Sequence, residues 1–101
     1  MRGGGWYVLK GREPVAVATP LEWAKAFEED SRRVAADEIG EVRVSTVFLG
    51  LDHGWGDGPP VLFETMVFGG KLDQEQERYC TYDEAEAGHK TMVERVRRSF
   101  E

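Results

Sequence analysis

The stretch from Arg43 to Gly70 constrains the fold most: RVSTVFLGLDH, then GWGDGPP, then VLFETMVFGG. It is rich in β-branched and aromatic residues on either side of a glycine- and proline-rich break, which predicts two long strands joined by a loop. Along Val42 to His53, Val44, Thr46, Phe48 and Gly50 share one face, and Ser45, Val47, Leu49 and Leu51 the other. Neither face is uniformly polar, so the pattern is that of a central strand buried on both sides. Val61 to Phe68 reads the same way. Paired as an antiparallel hairpin, the two strands set the carboxylate of Glu64 among Leu49, Leu51 and Met66.

The remaining segments supply partners for that hairpin. Gly3 to Gly5 make a flexible lead-in over residues 1–5. Trp6 to Leu9 and Val15 to Ala18 read as a short hairpin around the turn residues Lys10 to Pro14. Thr19-Pro20-Leu21-Glu22 is a helix-start signal: a capping threonine, proline at the first helical position, and a glutamate that completes a capping box. Trp23, Ala24 and Phe27 give that helix its apolar face. Residues Arg33 to Ile39 fit either a weak continuation of the helix or a strand; Ile39-Gly40-Glu41, a turn leading into the next strand, favours the strand. Lys71 to Tyr79 is a polar, acid-rich connector. Thr81-Tyr82-Asp83-Glu84 is a second capping box. It opens a helix whose stripe is Ala85, His89, Met92, Val93, Val96 and Phe100, with acids at its start and bases at its end, as the helix dipole favours. The expectation is one α+β domain over residues 1–101, in the order β-β-α-β-β-β-α. It holds an antiparallel sheet of four to five strands with both helices packed on one face.

Composition narrows the function classes. A chain of 101 residues that is 41% hydrophobic and 32% charged is too apolar for disorder and long enough for one core. No run of about 18 apolar residues is available to span a membrane. The opening MRGGGWYVLKGREP lacks the apolar core and cleavage site of a secretory leader, so the expected location is the cytoplasm. Cys80 is the single cysteine and forms no internal disulfide. A net charge of −6 disfavours nucleic acid as a partner.

Four groups carry candidate chemistry. Asp52 and His53, with Asp57, stand at the mouth of the central loop, where they would hold a divalent ion or act as a base with an orienting carboxylate. Their spacing matches no metal-ligand motif, and aspartate is common in turns, so no metal and no cofactor is expected. Glu64 would be an acid of raised pKa if buried, or the partner of Arg43 or Arg33, or a solvent-facing group. His89, on the apolar stripe, would either meet Glu64 or be a packed histidine satisfied by a hydrogen bond. Cys80 has only Arg78 as a nearby base and reads as a small hydrophobe. Finally, Trp55 in its glycine-rich loop, together with Asp57 and the acidic Asp73, Glu75 and Glu77, makes a contact surface for a partner protein, unless Trp55 folds back onto the sheet.

The segments VSTVFLGLDH, PPVLFETMVFGG and RYCTYDEAEAGHKTMVERV, with GREPV, EWAKAFE and RRVA, resemble a family of small phage- and prophage-encoded proteins without assigned activity. The resemblance implies a protein made in a bacterial host and raises binding to a host or phage protein, such as a defence or transcription component, as the leading expectation. A small metal-dependent or acid/base enzyme using Asp52, His53, Glu64 and His89 is the alternative. A virion or self-assembling component using Trp6 to Leu9 as an edge strand is the third.

Overall fold

The computed structural model describes residues 5–26, 32–54 and 58–101. Phe27, Trp55 and Asp57 therefore lie outside the described residues. A first hairpin pairs β1 (Tyr7–Lys10) with β2 (Glu13–Ala16), Lys10 opposite Glu13. Its turn is two residues, shorter than the turn-residue cluster Lys10 to Pro14 implies. Gly11 makes this possible by taking φ +63°, a left-handed conformation that costs glycine little. Helix α1 (Pro20–Ala26) follows, with Thr19 Oγ1 accepting from the Glu22 N–H at 3.2 Å as the capping signal predicts.

The second sheet is antiparallel, in the order β3 (Arg33–Ile39), β4 (Val42–Phe48), β5 (Phe63–Phe68), β6 (Gln76–Tyr79). Residues 33–39 are a strand, as the turn at Gly40 favours, with a bulge at Val34 between the Arg33 and Ala35 pairings. Helix α2 (Tyr82–Arg98) opens on the expected capping box: Thr81 Oγ1 accepts from Glu84 N–H, and Glu84 returns a bond to Thr81 N–H, both at 3.1 Å. The architecture is α+β, with one strand more than the sequence pattern shows. The connector Lys71 to Tyr79 ends in β6, whose side chains at Gln76, Glu77 and Arg78 are exposed, so no apolar alternation marks it.

Burial on β4 alternates strictly: Val42, Val44, Thr46 and Phe48 are buried, the residues between them half-buried. Only one face of the hairpin is covered in full, not two. The cover is α2, which turns Ala85, His89, Met92, Val93 and Val96 onto the sheet at helical spacing, while Phe100 lies past the helix end and is exposed. Of the two helices expected on that face, α2 is there. The described contacts of α1 go elsewhere: Trp23 packs edge-on against Trp6, ring centroids 5.0 Å apart, and its Nε1 donates to the Gly50 carbonyl. Ala24 is exposed. Within Trp6 to Leu9, β2 lies on one side, and the outer side is engaged at Trp6 and Tyr7: Tyr7 N–H bonds the Gly50 carbonyl, and Trp6 bridges Leu51. The tip of the first hairpin is fixed to α2 by Arg12, which bonds Asp83 and Glu86 and lies 4.3 Å from the Tyr82 ring centre. Those two carboxylates, Glu86 foremost, hold the guanidinium proton more tightly than usual.

Candidate functional site

The core under α2 is two apolar clusters separated by a polar layer. Val42, Val44, Val67, Met92, Val93 and Val96 form one, and Phe48, Leu62, Phe63 and Ala85 the other. Between them Thr46, Thr65 and His89 are no more than 3% exposed. Buried polar groups persist when bonded, and here the bonds form a continuous chain across all four strands. The Tyr79 hydroxyl donates to Thr65 Oγ1 at 3.2 Å, Thr65 and Thr46 share a hydroxyl bond, and Thr46 Oγ1 lies 2.7 Å from His89 Nδ1. His89 Nε2 is 2.7 Å from Asp37 Oδ2. With Tyr79 donating into Thr65, each hydroxyl passes its own proton onward. The bonding therefore assigns Nδ1 as acceptor and Nε2–H as donor to Asp37.

Asp37, His89 and Thr46 have the connectivity of a catalytic triad, but Thr46 is 0% exposed and no substrate reaches its hydroxyl. The chain reaches solvent at Asp37 and beside Tyr79. Tyr79 borders a shallow groove of about 190 Å³ lined also by Glu77, Gly88, Thr91, Met92 and Arg95. Its ring passes over Gly88, where an added Cβ would lie 2.2 Å from the phenol carbon and oxygen. Burial raises the phenol's pKa above 10.0, partly offset by the bond to Thr65, with Glu77 adding to the rise. The folded state thus holds this proton more tightly than the unfolded chain. The associated stability is intact below about pH 10 and is lost as pH rises above it. Urea midpoints from pH 8 upward should fall more steeply for the wild type than for Tyr79→Phe; parallel profiles would exclude this contribution.

The residues singled out by the sequence are not brought together. Asp52 Oδ1 accepts from Gly54 N–H and Val61 N–H at 2.8 and 2.9 Å, fastening the two ends of the 54–60 loop. His53 is exposed, its backbone N–H bonded to the Val61 carbonyl. Glu64 lies on the face away from α2, opposite Val47 and Arg78, and pairs with Arg78 at 3.0 Å rather than with Arg43 or Arg33. His89 is on the opposite face, bonded to Asp37, so His89 and Glu64 do not meet. Among the described contacts none joins any two of Asp52, His53, Glu64 and His89, and among the described residues no three metal-ligating side chains cluster. Within the acidic connector, Asp73 Oδ1 caps Gly69 N–H at 2.7 Å and Glu75 bonds Arg95 at 2.8 Å, while Glu77 is exposed on β6. Cys80 is half-buried at a cleft of about 360 Å³ between the first hairpin and the start of α2, also bordered by Arg12, Glu13 and Asp83.

What the sequence pattern did not single out is the face of the four-stranded sheet away from α2. There Ala36 is exposed, Ser45 and Met66 are half-buried, and Phe68 is 47% exposed. The chain matches no protein-family model, and neither curated proteins nor solved structures give a significant match.

Proposed function

We propose that the chain is a protein-binding module whose contact surface is this open sheet face. The observation that carries the reading is Phe68: a phenylalanine at the end of β5, opposite Arg43 and one same-face position from Met66, 47% exposed on the side of the sheet away from α2. The sheet edges are poor alternatives. β3 carries a bulge with Arg33, Asp37 and Glu38, and β6 is four residues long with Glu77 and Arg78, the devices that keep edges from pairing. The likeness of VSTVFLGLDH and PPVLFETMVFGG to small phage- and prophage-encoded proteins supports a host or phage protein as the partner class. No helix among the described residues is long and apolar enough to cross a membrane.

The test is retention of proteins from a bacterial host extract on the immobilised chain and on Phe68→Asp. A protein held by the first and lost by the second, with thermal transitions that coincide, supports the reading. Equal retention by both rejects this face.

A further inference from the structure

Resting on that reading of the face, we infer that its occupant is a second copy of the chain, in a two-fold dimer. The argument comes from the strand register. Three rows of side chains cross the open face: Glu38, Arg43, Phe68; then Ala36, Ser45, Met66, Gln76; then Arg33, Val47, Glu64, Arg78. The ion pair Glu38–Arg43, at 3.5 Å, occupies one corner on β3 and β4, and Glu64–Arg78, at 3.0 Å, the opposite corner on β5 and β6. A line through the midpoints of the two pairs runs diagonally across the face. The small Ala36 and Ser45 lie on one side of it, and the large Met66 and Phe68 on the other.

With strands about 4.8 Å apart and same-face residues about 6.6 Å apart along each strand, a half-turn about that diagonal sets acids against bases and large side chains against small ones, with the uncharged Gln76 falling on Val47 of the second copy. Phe68 falls on Ala36 of the second copy, and Met66 falls between Ser45 and Val47 of the second copy. Glu38 meets Arg43 of the second copy at one corner, and Glu64 meets Arg78 of the second copy at the other. Each contact occurs twice, as an isologous interface requires. Other simple axes fail. A two-fold along the strands puts Arg43 on Phe68, Glu64 on Val47 and Arg78 on Arg33. One across the strands puts Arg43 on Val47 and Glu64 on Phe68, and a charge set against an apolar group is desolvated without a partner. The diagonal makes the strands of the two copies cross at about 70°, nearer the orthogonal class of sheet packing than the aligned one. A chain of net charge −6 repels its own copy, and this face, where bases at least match acids, is where that repulsion is least. The footprint, about 20 by 20 Å at those spacings, is small for a permanent dimer and fits micromolar affinity.

Sedimentation of the pure protein over a micromolar dilution series should show a reversible monomer–dimer equilibrium. Phe68→Asp and Glu64→Arg should each weaken it at least tenfold, and Glu64→Arg with Arg78→Glu should restore it, circular dichroism confirming the fold of each. In a Cys80→Ser background, Ala36→Cys and Phe68→Cys chains joined by a short bismaleimide should cross-link when mixed, and neither should when alone. A wild type that stays monomeric, a dimer indifferent to these changes, or cross-linking of Ala36→Cys to itself would overturn the inference. A monomer that still loses an extract partner through Phe68→Asp would overturn the dimer and leave the binding-module reading standing. Absence of both would remove both.

Discussion

Gly88→Ala is expected to destabilise the protein by about 1–3 kcal/mol, although the same change in an exposed helix interior is worth about 1 kcal/mol in the opposite direction. The reversal comes from Tyr79. Gly88 sits in the middle of α2, where glycine is the poorest residue after proline, and its missing side chain is the space the Tyr79 ring crosses to reach Thr65. A methyl group there meets the phenol at 2.2 Å, so the ring must swing out, losing its bond to Thr65 and its packing against the apolar cluster that contains its cross-strand neighbour Phe63. At about 4–8 °C per kcal/mol for a domain of this size, the melting temperature should fall by several degrees or more. Once Tyr79 is cut back to alanine the obstruction is gone, and Gly88→Ala should become stabilising by its helix propensity alone. The measurement is a double-mutant cycle by urea denaturation. A coupling of about 2 kcal/mol or more with a change of sign is expected, and additive effects would show that the ring is not held over Gly88.

The second large effect concerns the polar layer. His89→Leu is expected to cost about 2–4 kcal/mol, because it deletes two hydrogen bonds and leaves the Thr46 hydroxyl without its acceptor at a site closed to water. Much of that cost is the stranded hydroxyl rather than the lost ring. Adding Thr46→Val and Thr65→Val removes the polar groups from both strands and should recover most of the stability, as when buried polar partners are replaced together by apolar groups of similar shape. Chemical denaturation of the single and triple variants separates the two contributions. A triple variant no more stable than His89→Leu would mean that packing, not hydrogen bonding, sets the cost.

The parts of this fold that were legible are those whose signals are local or periodic. Both helix starts follow from a capping threonine and a glutamate three residues on, and β4 and β5 from their length and β-branched content. The turn at Gly40 correctly favoured a strand for 33–39. β6 was hidden because an exposed edge strand carries no apolar alternation, and with it went the partner of Glu64: Arg78 is a cross-strand neighbour only once β6 exists. The same kind of gap explains the open face. Val47, Met66 and Phe68 look like residues buried on a second side, and nothing in the sequence says that the described helices cover only one. His89 was readable as a packed and bonded histidine. Its partners, 52 and 43 residues away in the chain, were not readable, since Asp37 and Thr46 become its neighbours only when α2 lies across the sheet. Gly88 was the one overlooked local clue, a glycine interrupting an otherwise sound helical pattern.

The two apolar clusters on either side of Thr46, Thr65 and His89 are, by themselves, permissive about alignment. Were β5 to slide two residues past β4, every inward side chain would still point inward, and valine against phenylalanine is as acceptable to an oily interior as valine against valine. What that slide cannot preserve is the pairing of the two threonines. Thr46 would face Phe63 or Val67, and each hydroxyl, together with the imidazole above, would be shut away from both water and its mate. The polar layer thus does for this sheet what a single notch does for a sliding bolt: it adds little to how firmly the parts hold, and it leaves one position in which they close.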